Sequence, residues 1–228
     1  MKKYFAVLIL FCLPFFSIQL HAQNIEDKYP VTILNPNGTK QLLFYFTGDG
    51  GINNFSEQLC NNLAQKKYTV IILNSRKYFW KQKLPDLMAT QVSEIIQFYI
   101  TRLKKKEFSI IGYSFGADVA IFYNTRVPKN LLPLLKSTIL LSPSIATDFT
   151  VKFADLLGIE SSSGQFKTLP EILKIPTYVL CMFGEEEEEK QLYNGIANKK
   201  NIKRVLLPGS HKYDNDINKV VTTVLSAL

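Results

Sequence analysis

The chain has 228 residues, of which 46% are hydrophobic and 12% aromatic, a composition that predicts one globular domain with one sizeable core. Its 27 basic and 19 acidic residues give a formal net charge of +8, which suits an anionic partner such as a membrane surface. The sequence has no Gly-rich phosphate loop, no nucleic-acid-binding signature and no Cys/His spacing typical of zinc. We therefore expect no nucleic-acid partner, no metal and no cofactor.

Residues 1–22 have the pattern of a secretory signal peptide. A basic start precedes an apolar stretch over residues 5–20, and Ala22 supplies a small residue for cleavage. The stretch is interrupted by Pro14 and is short for a membrane span, so an uncleaved anchor is the alternative we favour less. Cleavage near Ala22 would leave residues 23–228 as one exported domain with 25 basic and 19 acidic residues.

Apolar runs and helical patterns alternate along the chain after a short polar lead-in over residues 23–30. The alternation predicts an α/β fold, with a mostly parallel sheet and helices on both faces. Residues 145–172 are the hardest to interpret, apart from a predicted loop over residues 161–164. We predict strands over residues 41–47, 68–73, 108–111, 137–141, 177–183 and 203–207, and helices over residues 54–67, 85–103, 115–123 and 216–228.

Cys60 and Cys181 are the cysteines that remain after cleavage. An oxidising compartment would permit a disulfide between them, but each lies in an apolar stretch. We therefore predict two buried free thiols.

The most informative motif is Gly112-Tyr113-Ser114-Phe115-Gly116, which lies between a predicted strand and a predicted helix. Gly-x-Ser-x-Gly in this context is typical of the nucleophile elbow of serine hydrolases. Glycine is needed on both sides because the turn is tight and the serine backbone is strained. The motif predicts Ser114 as a nucleophile.

A serine hydroxyl needs a base, and His211 is the only histidine outside the predicted signal peptide. It follows the last predicted strand, where ligand sites form in open α/β sheets. The order serine, acid, histidine places the acid in the run Glu185–Glu189. We predict Glu187, with Glu186 as the alternative, and expect the other glutamates to form a solvated acidic turn.

Two loops are candidates for the oxyanion hole, which requires preorganised backbone donors. One donor is the amide of Phe115, the residue after the nucleophile. The other is expected from Gly48-Asp49-Gly50-Gly51, through the amide of Asp49 or Gly50, although the same run also fits an ordinary glycine-rich turn.

These segments together resemble the VirJ/AcvB family of bacterial virulence proteins, which belongs to the α/β-hydrolase superfamily. The resemblance spans about residues 42–216 and is carried by the motifs named above and by Asn74–Trp80. Where this family usually has tryptophan, a second histidine and an apolar residue, this chain has Ile52, Lys212 and Arg76.

The resemblance implies a periplasmic protein and, by analogy with AcvB-like members, hydrolysis of lysyl-phosphatidylglycerol. Ser114 would then attack the aminoacyl ester, and an aminoacylated phospholipid would be the partner. Asp49, Tyr78 and Trp80 are candidate substrate contacts. The aromatic residues could also form a membrane-contacting rim or pack in the core, and Asp49 could be an ordinary turn residue. We expect Asp118 to be a helix-surface carboxylate. Other possibilities are a general carboxylesterase or thioesterase, and a non-catalytic partner of a secretion system.

Overall fold

A seven-stranded sheet forms the centre of the computed structural model, which describes residues 25–151, 164–187 and 191–228. The strand order is β1-β3-β2-β4-β5-β8-β9, and every neighbouring pair is parallel except β1 with β3. A short antiparallel pair, β6 with β7, lies outside this sheet. The strands are β1 (Val31–Leu34), β2 (Leu42–Phe46), β3 (Thr69–Leu73), β4 (Phe108–Tyr113), β5 (Leu135–Leu141), β6 (Ala146–Thr147), β7 (Phe166–Lys167), β8 (Tyr178–Gly184) and β9 (Ile202–Leu207).

Helices cover both faces of the sheet. Alternate side chains of β2 point to opposite faces, so that Phe44 and Phe46 pack with α4 and α5 while Leu43 and Tyr45 pack with α2 and α8. The helices are α1 (Ile25–Lys28), α2 (Asn54–Gln65), α3 (Ser75–Tyr78), α4 (Pro85–Arg102), α5 (Phe115–Asn124), α6 (Thr168–Ile172), α7 (Gln191–Gly195) and α8 (Ile217–Leu225), and 3₁₀ turns cover Leu132–Leu134 and Tyr213–Asn215. No helix in the described part of the chain has the length and apolarity needed to span a bilayer.

The predicted α/β architecture is confirmed, and each predicted strand and helix is present with ends shifted by up to three residues. The prediction of a purely polar lead-in over residues 23–30 is wrong, because α1 forms there and buries Ile25. Tertiary hydrogen bonds hold this short helix, including one from the Tyr99 hydroxyl to Glu26 and one from the Tyr29 hydroxyl to Glu94. The predicted signal peptide and most of the predicted loop over residues 161–164 lie outside the described residues.

The two cysteines are free and fully buried, as predicted. Cys60 lies on the buried side of α2, whereas Cys181, in β8, packs in the core on the other face of the sheet. Burial raises the pKa of both thiols. The sheet itself therefore separates the two sulfur atoms.

An ion-pair cluster around the buried carboxylate of Glu171 joins α5 to α6. The Glu171 carboxylate accepts hydrogen bonds from the Thr125 hydroxyl and from Arg126, both at 2.5 Å, and from Lys174 at 2.8 Å. Burial acts to raise the pKa of Glu171, but these hydrogen bonds outweigh it and the pKa is lowered. Arg126 also binds Asp86 at 2.8 Å, which links the cluster to the start of α4.

Candidate active site

Ser114 occupies the sharp turn between β4 and α5. Its backbone has φ 54° and ψ −125°, a conformation that non-glycine residues rarely adopt. A methyl group added at Gly112 would collide with the Gly116 carbonyl, and one added at Gly116 would collide with the Phe46 carbonyl. The amide of Ser114 donates to the Leu141 carbonyl at 2.8 Å, which ties the turn to β5. The geometry is that of a nucleophile elbow.

A second turn carries the acid and is joined by backbone hydrogen bonds to the loop that carries the histidine. The amide of Glu185 donates to the Leu207 carbonyl at 2.8 Å, and that of Glu186 to the Gly209 carbonyl at 3.0 Å. Glycine is required at position 184, because a methyl group there would collide with the carbonyl of Ser210. The end of β8 and the loop after β9 are thus in direct contact.

This contact brings Glu187 close to His211. The Oε1 atom of Glu187 lies 4.0 Å from Nδ1 of His211, and the side chains are 14% and 40% exposed. Glu185 and Glu186 are exposed, so of the two acids considered it is Glu187 that faces the histidine. Glu188 and Glu189 lie outside the described residues.

Ser142 binds Glu187 directly, and Tyr213 contacts Ser142. Oε1 of Glu187 accepts from the Ser142 hydroxyl at 2.5 Å and from the Gly184 amide at 3.0 Å. The Tyr213 hydroxyl lies 2.8 Å from the Ser142 hydroxyl and donates to the Met182 carbonyl at 3.1 Å. A serine hydroxyl has one proton, and the carboxylate is its strongest acceptor here. Ser142 therefore orients Glu187, and Tyr213 supports Ser142.

Tyr113 links the histidine to the elbow, because it immediately precedes Ser114. Its ring centroid lies 5.5 Å from that of His211, and its hydroxyl donates to the His211 carbonyl at 3.4 Å. Burial raises the pKa of Tyr113, and the negative charges of Asp49 and Glu187 raise it further. The hydroxyl therefore stays protonated and continues to donate.

The loop after β2, the candidate oxyanion loop, lies against Ser114. A methyl group added at Gly48 would contact Cβ of Ser114 at 3.6 Å. The amide of Gly50, one of the predicted donors, is instead hydrogen-bonded to the Asp49 carboxylate at 2.8 Å. The Phe115 amide lies in the first turn of α5, where amides have no partner within the helix. This geometry favours Phe115 and argues against Gly50.

The remaining candidate residues have different environments. Tyr78 is buried and its hydroxyl donates to Gln91 at 2.6 Å, which fits the alternative of core packing. Trp80 is exposed. The expectation for Asp118 is wrong, because this carboxylate is buried and accepts from the Ser144 amide at 2.7 Å and the Ser144 hydroxyl at 2.5 Å.

Ser142 and Tyr213 belong to the surroundings of the candidate acid that the sequence did not predict. Ser142 directly follows β5 and so lies at the carboxyl ends of the parallel strands, where the elbow, the acid turn and the histidine loop meet. A polar residue at that position is a signal that could have been used. Tyr213 has no such signal, since a buried tyrosine two residues from His211 is typical of ordinary core packing.

Comparisons with known proteins agree with this architecture. MenH from S. aureus superposes with a TM-score of 0.65 at 17% identity, over 87% of this chain and 97% of that one. A hydrolase from Oleispira antarctica gives 0.65 at 12% identity, over 89% and 95%. Est1E from Butyrivibrio proteoclasticus gives 0.64 at 13% identity, over 86% and 91%. At these identities the likeness shows the α/β-hydrolase fold.

No curated protein sequence matches this chain significantly. A family model described as bacterial virulence protein VirJ matches residues 40–228, a range that contains every site residue described above. The chain therefore belongs to the VirJ family and has the α/β-hydrolase fold.

Proposed function

We propose that this protein is a serine hydrolase whose triad is Ser114, His211 and Glu187. The observation that carries the proposal is the approach of Glu187 to Nδ1 of His211. Ser114 has the elbow conformation, and the residue before it, Tyr113, packs against the same histidine. A carboxylate facing Nδ1 favours the tautomer that carries its proton there, which leaves Nε2 unprotonated as the base. The separation of 4.0 Å is longer than a hydrogen bond, and catalytic contacts of this kind commonly shorten when substrate binds.

In the proposed reaction the Ser114 oxygen attacks the ester carbonyl while its proton passes to Nε2 of His211. The amide of Phe115 and the loop beginning at Gly48 stabilise the negative charge on the carbonyl oxygen. The alcohol then leaves with the proton from His211, and an acyl ester remains on Ser114. Water, activated by the same imidazole, releases the acid and restores the serine.

The substrate that we propose is the aminoacyl ester of lysyl-phosphatidylglycerol, met at the periplasmic face of the membrane after export and cleavage near Ala22. VirJ-family membership supports this choice. The Asp49 carboxylate, in the loop that lies against Ser114, supplies a negative charge that suits a lysyl group with two amines. Cell fractionation and N-terminal sequencing test the export step, and we expect a periplasmic chain that begins near Gln23.

A general carboxylesterase or thioesterase is the second candidate. The solved structures of this fold include the Est1E protein named above and a thioesterase domain from the curacin biosynthetic pathway, which superposes with a TM-score of 0.57 at 12% identity. This activity needs the same triad but no recognition of a lysyl group.

Substrate profiling with the purified protein separates these possibilities. We expect lysine release from lysyl-phosphatidylglycerol to exceed release from the alanyl lipid, with no turnover of unmodified phosphatidylglycerol. Ser114→Ala should abolish release, and Ser226→Ala, a change at the exposed end of α8, should not. Faster turnover of short acyl esters and thioesters would favour the second candidate. Absence of turnover on all of these esters would favour a non-catalytic partner of a secretion system.

A further inference from the structure

The segment between α3 and the first turn of α4 exposes an unusual amount of apolar surface. Trp80, Leu84 and Leu87 are 58%, 57% and 50% exposed, whereas the next most exposed large hydrophobic side chains of the described residues reach 38%. All three lie within eight residues of one another. Clustered exposure of this size commonly marks an interaction surface.

Positive charge surrounds the apolar side chains. Residues 76–87 contain four basic residues and one acidic residue, and Arg76, Lys77 and Lys81 are exposed. The acidic residue, Asp86, is paired with Arg126 at 2.8 Å, and the segment as a whole keeps an excess of positive charge. A tryptophan and leucines flanked by lysines are the combination that enters the headgroup region of an anionic bilayer.

This segment is also connected to the proposed active site. The ring of Phe79, the residue before Trp80, packs edge-on against Phe115 with centroids 5.1 Å apart. Phe115 directly follows Ser114. Backbone hydrogen bonds between Lys83 and Phe149, and between Val151 and Phe79, hold the segment in place. A surface bound through residues 80–87 would therefore lie beside the elbow.

We propose that Trp80, Leu84 and Leu87, with the surrounding basic side chains, form a docking surface for an anionic lipid bilayer. The apolar side chains enter the interface, and Arg76, Lys77 and Lys81 remain among the acidic headgroups. Docking requires no turnover, so Ser114→Ala should bind vesicles as the unmodified protein does. Failure of the docking proposal and failure of the proposed hydrolase are thus distinguishable.

Trp80 is the only tryptophan of the chain, so intrinsic fluorescence reports directly on this surface. We expect the emission of the full chain to shift to shorter wavelength with vesicles of phosphatidylcholine and phosphatidylglycerol, and brominated acyl chains to quench it. Vesicles of phosphatidylcholine alone should give much weaker binding. An unchanged spectrum with vesicles that sediment the protein would place binding on another surface and overturn the proposal, as would an absence of binding.

Variants that keep Trp80 test the two contributions separately. Lys77→Gln/Lys81→Gln should weaken binding about 25-fold, at roughly fivefold per charge. The matched control is Lys104→Gln/Lys106→Gln, which changes two exposed lysines just beyond the far end of α4, about 27 Å along the helix. Equal losses in the two variants would mean that binding depends on net charge alone, and would overturn the proposal.

The apolar contribution is tested by Leu84→Ser/Leu87→Ser, which we expect to weaken binding at least tenfold. Leu173→Ser/Leu206→Ser, which removes two leucines exposed elsewhere, should have little effect. Size-exclusion measurements cover the alternative that a second copy occupies the surface. A dimer that becomes monomeric in Leu84→Ser/Leu87→Ser would identify a self-interface and refute docking to lipid.

Discussion

Replacing Ser142 by alanine should slow the reaction of Ser114 by about 10- to 50-fold. The change removes the 2.5 Å hydrogen bond that orients the Glu187 carboxylate. A hydrogen bond to a charged group contributes about 1.5–3 kcal/mol, and each 1.36 kcal/mol added to the barrier is a tenfold loss of rate. The Gly184 amide still binds the carboxylate at 3.0 Å, so we expect the lower half of that range. The same loss should lower the free energy of unfolding by up to about 3 kcal/mol. The variant should still fold, because the Tyr213 hydroxyl keeps the Met182 carbonyl as its acceptor.

The rate of labelling by a fluorophosphonate measures this effect without knowledge of the natural substrate. Ser137→Ala is the matched control, since Ser137 is equally buried in β5, binds the Ser109 hydroxyl at 2.9 Å and lies about 16 Å along the strand from Ser142. With an ester substrate, kcat should fall in Ser142→Ala while KM stays close to its original value. Labelling of Ser142→Ala as fast as that of the unmodified protein would refute the positioning role.

Three further predictions concern stability. Ser114→Gly should be more stable than Ser114→Ala by about 1–3 kcal/mol in urea unfolding, because glycine accepts the positive φ without strain; equal midpoints would contradict a strained elbow. Glu171→Gln should lose about 1–3 kcal/mol at pH 7, because its lowered pKa means that the charged form stabilises the fold. That contribution is present above the ordinary carboxyl pKa of 4.5 and is lost as the pH falls through the lowered pKa of the folded protein. In thermal melts, the difference in melting temperature between the variant and the original protein should therefore shrink from pH 7 to pH 3. Cys60 and Cys181 should resist alkylation until the protein unfolds, as followed by intact mass; a disulfide between them would contradict their placement on opposite faces of the sheet.

Elements whose apolar residues repeat with a strong period could be predicted from the sequence. The ends of strands depend on hydrogen-bond pairing with neighbouring strands, which the sequence does not show. The helix starting at Pro85 ends at Arg102, within one residue of its predicted end, because its apolar positions repeat over five turns. The predicted strand starting at Phe108 is two residues too short. Glycine at position 112 indicated a turn, yet Gly112 and Tyr113 still pair with β5.

The nucleophile, the base and the acid could be proposed from motif and chain order alone, whereas their supporting contacts could not. Ser142 and Glu187 are 45 residues apart, and no local pattern records that they meet. The environment of Asp118 was misjudged for the same reason. The residue lies in the first turn of α5, and its burial comes from the loop carrying Ser144, 26 residues later in the chain.

Mass mapping of a fluorophosphonate adduct tests the proposed triad most directly. The account predicts one adduct, on the peptide that contains Ser114, with labelling slowed about 10²- to 10⁴-fold by His211→Ala. Because the triad acts as a unit, His211→Ala/Glu187→Gln should label no more slowly than His211→Ala alone. An adduct on another residue, or unchanged labelling of His211→Ala, would contradict it.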